Sequence, residues 1–252
     1  MSRIRLDLML EQRGLMPSRA RARDAILRGT VRVNGELAKK PNQMVGAQDA
    51  LVVDDPASGY VSRAALKLIA GLDAGAVDPA GKVCLDIGAS TGGFTQVLLE
   101  RGAAKVYAVD VGHDQLHADL RADPRVVSLE GHNARDLDRD SIAEPVDLLV
   151  SDVSFVSVTK VLSAPLALCH ERAEAVILFK PQFEVGRDFI GKGGIVTDRD
   201  ASARALAAVV SFVEGTGFAL RAKVVSPIAG GDGNVETALV FQRSALASEV
   251  GT

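Results

Sequence analysis

Five short apolar runs, at residues 83–87, 106–109, 126–129, 146–150 and 175–179, recur at intervals that leave room for a helix between them. A strand reads as continuously apolar when both faces of its sheet are covered, and segments such as 94–101 have the length to supply the cover. The alternation predicts an α/β fold, a doubly wound and mostly parallel sheet of Rossmann-like type with helices on both faces. Residues 220–225 and 235–241, joined by a loop holding Gly230, Gly231, Asp232 and Gly233, predict a closing antiparallel hairpin. Sheets of this kind take ligands beyond the carboxyl ends of their strands.

The first run reads VCLDIGASTGGF, a glycine-rich turn leading from strand into helix. Such a turn suits a nucleotide-like ligand, but the GxGxxG spacing of dinucleotide sites is absent, because Gly88 is followed only four and five residues later by Gly92 and Gly93. Asp86 at the strand end discriminates further. A carboxylate there repels a pyrophosphate, whereas S-adenosylmethionine has no phosphate and carries an ammonium and a sulfonium. Asp86, Gly88, Ala89, Ser90, Gly92, Gly93 and Phe94 are therefore expected to hold S-adenosylmethionine, with a dinucleotide or a purely structural turn as the alternatives. Asp110, at the end of the second run, is expected on the cofactor ribose. Asn133 and Ala134, after the third, are expected beside its adenine, where Asn133 offers both a donor and an acceptor.

Charge is distributed unevenly along the chain. Residues 1–40 hold ten Lys or Arg against four acids, a net +6, which leaves −9 for the rest of a chain totalling −3. A basic module on an acidic body is the asymmetry of a protein that docks on phosphate with one part and does chemistry with the other. Residues 5–13 have helical apolar spacing ended by Gly14; Ser18 is a good N-cap for a second helix that stops at Gly29; Asn34-Gly35 suits a two-residue hairpin. The motifs SRARARDAILRG and VRVNG, within residues 3–54, resemble the αL RNA-binding module of a small-subunit ribosomal protein, some pseudouridine synthases and bacterial tyrosyl-tRNA synthetases. That resemblance favours structured RNA over DNA and points to Arg5, Arg19, Arg23, Lys39 and Lys40 as phosphate contacts. The turn-prone stretch 54–59 reads as a linker, so residues 1–58 are expected as the RNA-binding domain and 59–252 as the catalytic one.

Several ionisable residues fall at strand ends or beside them. Asp152, also expected at the cofactor, ends VDLLVSD, Lys180 ends AVILFK, Glu236 lies in the last hairpin and Lys67 lies on a helix ahead of the first strand. Pro181 holds Lys180 in an extended conformation. Singly, each of these charges reads as a surface ion pair. YVSRAALKL, LDIGASTGGFT, VDLLVSDVSF, LFKPQFEVG and GNVE together resemble the TlyA family, a branch of the FtsJ-like ribose methyltransferases, over nearly the whole chain. The resemblance implies methyl transfer to cytidine ribose 2'-hydroxyls in ribosomal RNA, with Lys67, Asp152, Lys180 and Glu236 as the catalytic tetrad. A ribose hydroxyl is a poor nucleophile, so an amine must favour its alkoxide or take its proton. Lys180 is the candidate, held by Asp152 and Glu236 with Lys67 nearby, its role as base or as electrostatic stabiliser left open.

Phe155, Phe183 and Tyr60 are candidates either for the core or for stacking on a flipped-out base, Phe155 foremost because it neighbours Asp152. The 192–194 loop reads as a mobile loop or a cover for substrate. His113 and His117 have helical spacing, but no third ligand accompanies them, so no metal is expected. Cys84 and Cys169, the latter near the end of a helical pattern, suit reduced core packing. No apolar run approaches the ~18 residues of a membrane span, and none follows the basic N-terminus that could serve as a signal segment, so a cytoplasmic location is expected. The haemolysin label attached to the TlyA family suggests a membrane-active cytolysin as one alternative. A non-catalytic RNA-binding or ribosome-assembly factor is the other.

Overall fold

The computed structural model describes residues 3–244, which form two compact units that divide after Gly59. In the first, β1 (Ile4–Arg5) leads into α1 (Leu6–Gln12), α2 (Arg19–Leu27), β2 (Val31–Val33), β3 (Glu36–Leu37), β4 (Met44–Val45) and β5 (Leu51–Val53). Ser18 caps α2 by accepting from the Arg21 N–H at 3.3 Å. Asn34 and Gly35 both take positive φ (51° and 86°), closing the two-residue hairpin between β2 and β3. Arg5, expected in the first helix, instead pairs as a strand with Met44, because β1 and β4 form a small antiparallel ladder. Leu6, Leu10, Ala22, Ile26 and Val31 make this unit's core.

The second unit runs α3 (Ala65–Gly75), β6 (Val83–Ile87), α4 (Gly93–Glu100), β7 (Lys105–Asp110), α5 (Ala118–Ala122), β8 (Val126–Glu130), β9 (Val146–Ser151), α6 (Ser163–Ala167), β10 (Cys169–Phe179), α7 (Pro181–Glu184), α8 (Arg199–Glu214), β11 (Phe218–Val225) and β12 (Thr237–Arg243). The sheet order is β11-β12-β10-β9-β6-β7-β8. Strands β6 to β10 are parallel, and β12 is antiparallel to both β10 and β11. One apolar layer packs on each face, as the continuously apolar strands require. The chain leaves β6 toward β7 and β8 and then returns to β9 on the other side, so a crevice opens where the carboxyl ends of β6 and β9 diverge.

Cys169 follows the end of α6 and opens the eleven-residue β10, whose polar residues 170–172 lie across a register break in the β9 pairing. One expectation changes here. His113 sits in a bend and His117 caps α5, so the two share no helix face.

Candidate active site

Beyond Ile87 the chain turns through Gly88, Ser90 and Gly92, all with positive φ (83°, 48° and 97°), before α4 starts. A Cβ on Gly88 would stand 3.1 Å from the Val153 nitrogen, and one on Gly92 would collide with Leu120, so bare backbone is needed at both. Above this turn lies a cleft of about 620 Å³ lined by Gly88, Ser90, Asp110, Asn133, Ala134 and Asp152, among others. Asp110 accepts from the backbone N–H of Ser90 and of Gly112, each at 2.8 Å, and clamps two of the turns that form the cleft. Asn133 Oδ1 already accepts from the Arg135 backbone and guanidinium, leaving chiefly its amide N–H groups to offer.

Ala89, Gly92, Gly93 and Phe94 are buried and do not line this cleft. Asp86 is likewise fully buried beneath the turn. Its Oδ2 accepts from Thr95 Oγ1 at 2.7 Å, while Oδ1 has no hydrogen-bond partner among the described residues. Burial pushes its carboxyl up to about 7, against the opposing pull of the Thr95 hydrogen bond.

The four strand-end charges form two ion pairs, both largely buried. Lys180 Nζ lies 2.6 Å from Asp152 Oδ1 and donates to Ser154 Oγ at 2.7 Å and to the Asp152 carbonyl at 3.2 Å. Lys67 Nζ, on α3, lies 2.5 Å from Glu236 Oε2, just ahead of β12. Glu236 thus pairs with Lys67, not with Lys180 as the sequence suggested. Phe155 also lines the cleft; it is 91% exposed, holds φ +66°, and meets Phe183 with ring centroids 5.3 Å apart. Phe183 and Tyr60 are only partly exposed. Lys180 Nζ is 6.0 Å from the Phe183 ring centroid.

In the first unit, the candidate phosphate contacts divide into two sets. Arg5 and Arg19 both bind the buried Asp7, at 2.8 and 3.0 Å, and these guanidinium groups hold its carboxyl down at about 2. Arg23, Lys39 and Lys40 are exposed.

A family model described as FtsJ-like methyltransferase matches residues 60–243, and one described as S4 domain matches residues 4–51. The chain belongs to the FtsJ-like methyltransferase family. It is 48% identical over 235 residues, 93% of this chain and 88% of the other, to the 16S/23S rRNA (cytidine-2'-O)-methyltransferase TlyA of Mycobacterium tuberculosis. It is 41% identical to Hemolysin A of Brachyspira hyodysenteriae, covering 92% of this chain and 97% of that one. A solved chain from Streptococcus thermophilus that carries the hemolysin name is 36% identical, with a TM-score of 0.75 over 97% of this chain and 90% of that one. Among the described residues no helix is long and apolar enough to cross a membrane, and no group of three or more His, Cys, Asp or Glu is placed to hold a metal ion.

Four polar residues of this FtsJ-like sequence, of which Ser154 lines the cleft, went unnoticed in the sequence. Ser154 accepts from Lys180, Glu184 binds the loop after β9, and Gln182 is buried with an Oε1 that has no partner among the described residues. Asn234 accepts from the Val196 N–H and donates to the Gly194 carbonyl, which anchors the 192–194 turn to the segment that carries Glu236. The only sequence signal for the first two was their place inside VSDVSF and LFKPQFE, beside residues already singled out.

Proposed function

We propose that this chain transfers the methyl group of S-adenosylmethionine to cytidine ribose 2'-hydroxyls in ribosomal RNA. The observation that carries the reading is Lys180, buried at the edge of the cleft and held by Asp152 and Ser154. The cleft suits this cofactor. Asp110 and Asp152 border it, the close-packed Gly88 lines it, and its volume falls in the usual range for ligand pockets. Asp110 would accept from the ribose hydroxyls, since each carboxylate oxygen has a further lone pair free. Asn133 and Ala134 would border the adenine. The orphaned oxygen of Asp86 would add negative potential below the cationic end.

The cofactor supplies a methyl group already activated on a sulfonium, so this chain's own work is on the acceptor. Lys180 Nζ has three donors and three acceptors around it: Asp152 Oδ1, the Asp152 carbonyl and Ser154 Oγ. An incoming hydroxyl reaches Nζ by replacing one of them, and the neutral Ser154 costs least to displace. There the Lys180 ammonium would stabilise the oxyanion that develops as the hydroxyl gives its proton to solvent and its oxygen takes the methyl group from sulfur. The Lys67–Glu236 pair lies one residue beyond the Phe179–Thr237 pairing of β10 with β12, beside Lys180. Phe155, exposed beside Asp152, is suited to stack on a base rotated out of its helix.

The substrate class follows from the relatives' names together with the basic first unit, whose Arg23, Lys39 and Lys40 are free to meet phosphate. Incubating the protein with methyl-labelled S-adenosylmethionine and separated small and large ribosomal subunits tests the reading. Label is expected in the RNA of at least one subunit, and label in neither contradicts it.

A further inference from the structure

Between β9 and α6 the chain makes an excursion that the chemistry at Lys180 does not explain. Residues 152–156 line the cleft and then enter a tight turn at Val158–Lys160. Within the excursion Phe155 adopts left-handed φ, a conformation that a bulky residue takes only when its surroundings over-determine it. Two side chains from the segment after β10 provide that constraint. On one flank Lys180 donates to Ser154 Oγ and to the Asp152 carbonyl. On the other, Glu184 Oε2 accepts from Ser157 Oγ at 2.6 Å and Oε1 accepts from the Val158 N–H at 2.8 Å.

The two clamps therefore bracket Phe155 in sequence. Lys180 has a role in the proposed reaction, whereas Glu184 has none. A half-buried carboxylate is costly unless its oxygens are hydrogen-bonded, and burial does push the Glu184 carboxyl up. Both of its oxygens are spent on this one loop.

We propose that Glu184 is a positioning residue for the RNA substrate: by holding Ser157 and Val158 it keeps Phe155 raised against Phe183 at the cleft, ready for a flipped base. This rests on the ribose-methylation reading above. The clamp itself is measurable without any activity.

The test uses full-length Glu184→Ala, Glu184→Gln and Phe155→Ala, and the Glu184→Ala/Phe155→Ala double variant. Glu184→Ala is expected to speed amide exchange across residues 153–160 and to raise KM for ribosomal RNA roughly tenfold, with the cofactor Kd unchanged. Glu184→Gln keeps an acceptor for the Val158 N–H and donates to Ser157 Oγ, so it restores both readouts. The double variant is no worse than Phe155→Ala alone, because the two act as one unit. Unchanged exchange in Glu184→Ala, or losses that add in the double variant, would overturn the proposal. If Glu184→Ala does not fold, Ser157→Ala removes one of the two bonds and carries the same expectations. A wild-type protein that methylates no ribosomal RNA would overturn the functional reading, and the exchange result would still decide the clamp.

Discussion

Asp86 offers a test in which proton binding reports on the site. Burial pushes its carboxyl from an ordinary 3.8 up to about 7, which at roughly 1.4 kcal/mol per tenfold change makes ionising it in the folded protein cost on the order of 4 kcal/mol. The sign follows from proton counting. Between those two values the folded chain holds a proton that the unfolded chain has lost, so this group's effect on stability worsens as pH rises from about 4 to about 7 and is constant above that. Asp86→Asn keeps an acceptor for Thr95 Oγ1 and removes the titration. Denaturant unfolding at pH 5 and pH 8 should show wild type losing roughly 2–3 kcal/mol more than the variant over that interval. A cationic cofactor adds a second effect: it favours the carboxylate, so cofactor binding near pH 6.5 should release a proton, measurable by calorimetry in buffers of different ionisation enthalpy. In Asp86→Asn the release should vanish and the affinity should fall. Identical pH slopes in the two proteins, or no proton release, would refute the reasoning.

Two further outcomes follow. Lys67→Met leaves Glu236 buried without its partner and should cost about 3–5 kcal/mol in denaturant unfolding; Lys67→Met/Glu236→Leu should recover most of that stability without recovering methyl transfer, and a neutral single variant would contradict the buried pairing. Arg23→Glu/Lys39→Glu/Lys40→Glu should weaken ribosomal RNA binding and lower the dependence of log affinity on log salt by about 2, with cofactor binding unchanged. An unaltered slope would remove these residues from the docking surface.

What could be read from the sequence was whatever depends on neighbours along the chain. The apolar runs became β6 to β10 because continuous hydrophobicity needs cover on both faces, and Ser18 and Asn34-Gly35 act through their own backbone. Packing decided the rest. Arg5 and Arg19 looked like free phosphate contacts, yet once the first unit folds both reach Asp7, which no local pattern announces. The letter Asp at position 86 marks a strand end, but it does not say that the side chain turns beneath the glycines instead of facing the cleft. Four charges at strand ends were legible as a group; that they divide into Lys180–Asp152 and Lys67–Glu236 depends on where α3 and the segment before β12 come to rest. Glu184 was hidden for the same reason, since its partners lie 26 and 27 residues away in the chain.

The central claim is that Lys180 enables methyl transfer to a ribose oxygen. The direct measurement is nucleoside analysis of ribosomal RNA after reaction with methyl-labelled S-adenosylmethionine, comparing wild type with Lys180→Ala at matched cofactor occupancy. The account predicts label on the 2'-oxygen of cytidine with wild type, and loss of transfer in the variant while the cofactor still binds. Label on a base, or undiminished ribose methylation by Lys180→Ala, would contradict it.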